Sequence, residues 1–374
     1  MANIVLYRKY RPKSFDQVVG QEHIVQTLKN AVAGDLLSHA YLFSGPRGSG
    51  KTSLARLLAK AVNCAAPKNG DPCNTCDACV EINAGRAIDL IEIDAASNRG
   101  IDEMRELREG IAFSPARLKY KVFIIDEAHQ LTKEAANALL KMLEEPPAHA
   151  MFILATTEAH KMISTIASRC QRFDFRKLTV PEITNKLAEI AKAENAAIEK
   201  AALELIAQNS GGAMRDAIGL LDKVLTFHSI LNAKEEIGAD AIKDLLGLVD
   251  LNLVGDFVQF LADKKPGDAI DFLNKKLESG MDPQEFAKNA VRYLRHTLVL
   301  KINPALDKMF ETELTKEQLE RMKTQTEKFA EKELVAAVEN FMEAEQKMKY
   351  SSIIQLPLEL AIVESCYIGE TEKN

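Results

Sequence analysis

Short apolar runs alternate with stretches of helical period along the first 180 residues. Tyr41-Leu42-Phe43, Leu90-Ile91-Glu92-Ile93, Val122-Phe123-Ile124-Ile125, Met151-Phe152-Ile153-Leu154 and Phe173-Asp174-Phe175 read as strands. The second, third and fourth each begin after a segment long enough for a crossover, which predicts a mainly parallel sheet covered by helices. Leu54, Leu57, Leu58, Ala61 and Val62 recur at helical spacing. So do Ala135, Ala138, Leu139 and Met142, in a helix from Thr132 to Glu145 that Pro146-Pro147 ends. Beyond Val180 the strand pattern stops. Glu182–Ala193, Lys200–Gln208 and Met214–Thr226 are amphipathic, with Gly211-Gly212 breaking the chain between the last two. From about Asp240 onward the pattern stays helical, and no glycine falls between Gly280 and Gly369. The Glu- and Lys-rich stretch from Lys316 to Lys349 reads as a solvated helix face.

A length of 374 residues is too much for one small core and predicts two or three domains. With 47% hydrophobic and 27% charged residues, the composition is that of a soluble globular protein. No run approaches the roughly 18 apolar residues of a membrane span, and the first residues lack a signal-peptide core. A cytoplasmic protein is expected, with no membrane partner. The net charge of 48 − 54 = −6 does not announce nucleic-acid binding, and it would average away a local basic patch. The absence of Trp argues against a base-stacking platform.

The chemistry begins at Gly45-Pro46-Arg47-Gly48-Ser49-Gly50-Lys51-Thr52, a glycine, four residues, then Gly-Lys-Thr. It lies between the strand ending at Ser44 and a helix, the context in which this loop cradles a nucleoside triphosphate on backbone N–H groups and a helix N-terminus. Lys51 is expected at the β- and γ-phosphates and the Thr52 hydroxyl on Mg²⁺. The strand Val122–Ile125 runs into Asp126-Glu127-Ala128-His129. A carboxylate at a buried strand end suits the magnesium, so Asp126 takes that role, and Glu127 is placed to deprotonate the attacking water. His129 is read as a packing residue or a support for the carboxylates rather than a catalytic group. At the end of the next strand Thr157 is the polar group expected between the carboxylates and the γ-phosphate, with Thr156 close behind. Cys64, Cys73, Cys76 and Cys79, with turn formers between them, suit a structural tetrahedral Zn²⁺, with a redox dithiol as the competing reading. Cys170 and Cys366 read as ordinary buried thiols.

These motifs occur in one order with Tyr10-Arg11-Pro12, Phe15, Val18-Val19-Gly20-Gln21, Asn137-Ala138-Leu139-Leu140-Lys141, Leu143-Glu144-Glu145-Pro146-Pro147, Ser168-Arg169-Cys170 and Gly211-Gly212-Ala213-Met214-Arg215. The combination resembles the gamma/tau ATPases of bacterial DNA polymerase III clamp loaders, an AAA+ family. Matching motifs span residues 7 to 226, and the helical remainder fits by class and length.

The resemblance implies an α/β AAA+ P-loop domain over 1–179 with a zinc insertion at 64–79, a helical lid over 180–242, and an all-α collar over 243–374. It implies that Arg11, Val18 and Val19 lie near the adenine of ATP, and that Arg169 is a finger completing a neighbour's site. It further implies that Arg215 senses ATP from its own second domain. The implied partners are further gamma/tau copies, delta, delta-prime, the sliding clamp and primer–template DNA, with chi and psi as further candidates. Arg99, Arg105 and Lys141 are the candidate DNA contacts. ATP binding is expected to open and grip the clamp, and primed DNA to trigger hydrolysis and release. Ending at Asn374, the chain resembles gamma or a truncated tau. The alternatives are a non-hydrolysing scaffold, against which Lys51, Thr52, Asp126 and Glu127 argue, and a branch-migration helicase, against which the cysteine insertion argues.

Overall fold

The computed structural model describes residues 5–97, 110–111, 113–230, 236–239, 241–242, 251–310, 314 and 316–367. The chain forms two units, Met1–Ile237 and Gly238–Asn374.

Five parallel strands make the sheet of the first unit: β1 (Ala40–Ser44), β2 (Leu90–Asp94), β3 (Lys121–Asp126), β4 (Ala150–Thr156) and β5 (Gln171–Asp174), in the order β2-β3-β4-β1-β5. All five runs read as strands from the sequence take this form. Every residue of β1 and β4 is buried, as expected of central parallel strands covered on both faces. Alternate side chains serve opposite layers. Tyr41, Phe43, Val122, Ile124, Met151 and Ile153 pack with Leu54, Leu57, Leu58 and Ala61 of the helix Lys51–Val62. Leu42, Phe123, Ile125, Phe152 and Leu154 pack with Ala135, Leu139 and Met142 of the helix Lys133–Glu144. Thr132 caps that helix by accepting from the Ala135 N–H at 3.2 Å, and it ends before the two prolines.

Three helices, Val180–Ala193, Lys200–Asn209 and Met214–Ile230, complete the first unit. The first opens with a capping box between Thr179 and Glu182. Arg176 clamps the same carboxylate at 2.6 Å, and this pairing holds the Glu182 carboxyl down to about 2.

The regular elements among the described residues of the second unit are all helices. Its core centres on Phe257, Phe286 and Phe341, which meet edge to face, and on a buried polar pair in which the Tyr293 hydroxyl donates to Gln325 at 2.6 Å. The charged stretch from Lys316 departs from the expected single solvated face. It forms two helices, Lys316–Lys328 and Glu331–Lys347, broken at Phe329-Ala330. Each turns a stripe inward, Met322 and Gln325 from one and Leu334, Ala337 and Phe341 from the other. The charges cover only the outer side of each helix.

Candidate phosphate-loop site

The strand order brings the C-terminal ends of β3, β4 and β1 together, the crevice where open parallel sheets bind ligands. The loop after β1 turns there into the helix Lys51–Val62. Gly48 has φ +75°, and a Cβ on it would lie 2.6 Å from the Cβ of Ala213 in the Gly211–Ala213 turn ahead of the third lid helix. Only glycine fits where lid and loop touch.

Lys51 is 6% exposed, and its Nζ donates to the carbonyls of Gly45 at 2.7 Å and Pro46 at 2.8 Å. Burial pushes its pKa down, opposed by the charges of Glu127 and Asp126. The Thr52 hydroxyl donates to Asp126 Oδ2 at 2.8 Å, so the two magnesium candidates are already in contact.

Glu127 sits in the left-handed region at φ +48°, a strained conformation for this residue type. Its Oε2 accepts from the Thr157 hydroxyl at 2.9 Å and the Thr157 N–H at 3.3 Å. Thr156 points away into the interior, fully buried, and meets His129 Nδ1 at 2.9 Å. His129 takes the supporting place expected of it. Its Nδ1 lies 3.5 Å from Glu127 and its Nε2 3.0 Å from Glu158. Lys161, 2.7 Å from Glu158, holds that carboxyl low, helped by the nearby His129.

A cavity of about 220 Å³ runs from the phosphate loop to the N-terminal segment and the lid, lined by Arg11, Val18, Val19, Arg47, Lys51 and Arg215 among others. Several of its walls were invisible to sequence reasoning. Tyr7 lines it with the Arg215 guanidinium 4.9 Å from its ring centre, and both arginines at hand, Arg8 first, hold the phenol below its ordinary pKa. Lys186 and Ile218 of the lid line it too. The Tyr10 hydroxyl donates to Glu194 at 2.5 Å, tying the segment to the first lid helix, and burial pushes it up to about 12.

Arg169 and Lys141 do not line this cavity. Arg169 donates to Glu144 at 2.7 Å and to the Thr165 carbonyl at 2.9 Å. Lys141 is exposed on the helix Lys133–Glu144. Arg99 and Arg105 lie outside the described residues.

The four cysteines converge, all sulfurs within 4.8 Å of one another, close to the roughly 3.8 Å separation that tetrahedral Zn–S bonds near 2.3 Å require. The Cys73 N–H points at Cys64 Sγ at 3.2 Å, and the Thr75 and Cys76 N–H groups point at Cys73 Sγ at 3.5 and 3.3 Å. The Thr75 hydroxyl and these two amides bring the Cys73 thiol down to about 5, while burial raises Cys64 and Cys79. Amide donors aimed at sulfur suit thiolate ligands, so the residues fit zinc. Cys170 is half-buried and Cys366 buried, and burial raises both thiols.

Family models cover most of the chain. Residues 20–179 match DNA polymerase III, delta subunit; residues 182–229 match the DNA polymerase III clamp loader subunit, ATPase lid domain; residues 237–373 match DNA polymerase III subunits gamma and tau domain III. The DNA polymerase III subunit gamma of Buchnera aphidicola subsp. Schizaphis graminum is 38% identical over 302 residues, 81% of this chain and 82% of that one. The chain belongs to the DNA polymerase III gamma/tau family. The Bacillus subtilis subunit tau is 43% identical over 366 residues, 98% of this chain. The gamma/tau subunit of Mycobacterium tuberculosis strain H37Rv is 37% identical over 359 residues, 96% of this chain. This chain spans 64% and 61% of the length of those two family members. The cavity lies between the α/β layer and the helices matched by the ATPase lid model. Among the described residues, no helix is long and apolar enough to cross a membrane.

Proposed function

We propose that this chain is the ATP-hydrolysing motor of a DNA polymerase III clamp loader, with domains 1–179, 180–242 and 243–374 as P-loop domain, lid and collar. One observation carries the reading: Lys51, the Thr52–Asp126 pair and the Thr157–Glu127 pair converge at the ends of β1, β3 and β4. A scaffold that merely filled a place in the assembly would not need that set.

On ATP binding, Lys51 exchanges the Gly45 and Pro46 carbonyls for the terminal phosphates. Thr52 and Asp126 would hold the Mg²⁺ that accompanies ATP and neutralises phosphate charge. Glu127 orients and deprotonates the attacking water, and Thr157 sets the direction of its carboxylate. Arg11, Val18 and Val19 flank the adenine side, and Arg215 reaches the phosphates from the lid. Arg169 serves a neighbouring subunit. Its absence from its own chain's cavity, and its position beside Glu144, support a role in trans.

In the assembly, the chain joins further gamma/tau copies, delta and delta-prime, opens the sliding clamp, and releases it on primer–template DNA, with Lys141 tracking phosphates. The second unit exposes Tyr350, Ile353, Ile354, Leu360 and Tyr367, apolar surface of the kind a collar contact would cover. Cys64, Cys73, Cys76 and Cys79 hold a structural zinc. The test is ATP turnover by the chain alone, then with partner subunits, clamp and primed DNA. Stimulation by the complete set supports the motor, and equal turnover under all conditions rejects it.

A further inference from the structure

Residues 11–19 reach the cavity twice, with Arg11-Pro12 at one end and Gln17-Val18-Val19 at the other. The middle of the segment, Lys13 to Phe15, is held by the cysteine insertion and the helix beneath it. Asp71, between Cys64 and Cys73, accepts from the Phe15 N–H at 2.6 Å and pairs with Lys29 at 2.7 Å. Gly70 beside it has φ +83°, and a Cβ there would lie 2.3 Å from the Lys29 carbonyl oxygen, so the insertion sits hard against the helix Glu22–Ala33. Lys60, on the helix that starts at the phosphate loop, is 2% exposed. Its Nζ donates to the Lys13 carbonyl at 2.8 Å, to Asn74 at 2.6 Å and to Asn83 at 2.8 Å. Asn74 lies between Cys73 and Cys76, and Asn83 ends the short helix that carries Cys79.

All three protons of a buried ammonium are thus spent joining the N-terminal segment to both halves of the cysteine insertion. A cleft of about 760 Å³, lined by Arg8, Lys13, Arg56, Lys60 and Asn83, runs along the outer side of the segment. The buried Phe15 ring and these polar anchors hold the backbone of the segment.

We infer that the cysteine insertion buttresses the base-side wall of the nucleotide cavity, and that Asp71 and Lys60 are positioning residues for the nucleoside part of the ligand. This rests on reading the cavity as a nucleotide site. The phosphate loop hangs on β1 and its own helix, so triphosphate binding is independent of the buttress. If the anchored segment falls from nearly full occupancy of its competent position to about a tenth, nucleoside affinity falls about tenfold.

The experiment measures binding of Mg-ATP and of inorganic tripolyphosphate to the full chain by calorimetry, with zinc content measured on the same samples. Asp71→Ala and Lys60→Met are each expected to weaken ATP about tenfold and leave tripolyphosphate within twofold. Asp71→Asn, which keeps an acceptor for the Phe15 N–H, is expected to recover most of the ATP affinity. Zinc removal by chelation should reproduce the selective loss. ATP affinity within twofold of wild type in both folded variants overturns the inference, and so does a parallel loss of ATP and tripolyphosphate. Failure of the unmodified chain to bind ATP at all would instead refute the nucleotide reading itself.

Discussion

Replacing Lys51 by Met is expected to move ligand binding and bare-protein stability in different directions. The ammonium is 6% exposed and donates to the Gly45 and Pro46 carbonyls. On ATP binding it gives up those two bonds, costing about 1 kcal/mol each. It gains a charge–charge contact worth about 4 kcal/mol at 4 Å with an effective dielectric near 20. The balance of about 2 kcal/mol corresponds to about 30-fold in affinity, a lower bound because a terminal phosphate carries more than one charge.

Stability follows the opposite logic. Burial depresses the Lys51 pKa below the ordinary 10.5, so the unfolded chain holds the proton more firmly than the folded one. The ionised side chain therefore costs the fold stability at neutral pH, and the cost fades as pH rises toward 10.5. Lys51→Met should thus bind Mg-ATP at least about 30-fold more weakly, by calorimetry, while the nucleotide-free melting temperature at pH 7 is no lower than wild type. Any advantage of the variant should shrink toward pH 10. Affinity within threefold of wild type, or a melting temperature that falls along with affinity, would refute the reasoning.

Glu127→Gln should bind ATP within threefold of wild type and lose about 10²- to 10⁴-fold in single-turnover hydrolysis, since the amide keeps the Thr157 contact but takes no proton. Arg169→Ala should leave ATP binding by the isolated chain intact and remove on the order of 10³- to 10⁵-fold of assembly-stimulated turnover. In a mixed assembly, a subunit lacking Arg169 should regain turnover beside one lacking Lys51, and the absence of complementation in every subunit order would sink the trans role. Elemental analysis should find about one zinc per chain, as a four-thiolate site requires. Glu182→Gln should cost about 1 kcal/mol in urea unfolding at pH 7, after discounting the half-exposed Arg176 pair for solvent screening. The folded Glu182 carboxyl is depressed to about 2, so that difference should persist above pH 5 and narrow as pH falls from the ordinary 4.5 toward 2.

Much of the P-loop site was legible because its parts are local. Gly45 to Thr52 and Asp126-Glu127 carry their meaning in contiguous residues, and each is tied to a strand end that period and apolarity reveal. The five strands, the helix stop at Pro146 and the lid helices were legible for the same reason. So was the cysteine set, whose spacing and turn formers bring four sulfurs together without help from distant chain.

The tertiary structure decided what depends on contacts between remote segments. Thr157, favoured over Thr156 from the sequence, faces Glu127 because alternate residues at the end of β4 point to opposite sides, and only the fold supplies that contact. His129 proved to be a partner of Glu127, Glu158 and Thr156, since its neighbours come from two strand ends separated in sequence. The charge-rich stretch after Lys316 concealed two inward stripes, because a buried Gln325 and a break at Phe329 leave little mark on an average polarity. Nothing in the local sequence marks Lys60. Only folding brings Lys13, Asn74 and Asn83 around it, and a buried cation is tolerable there because all three of its protons meet acceptors.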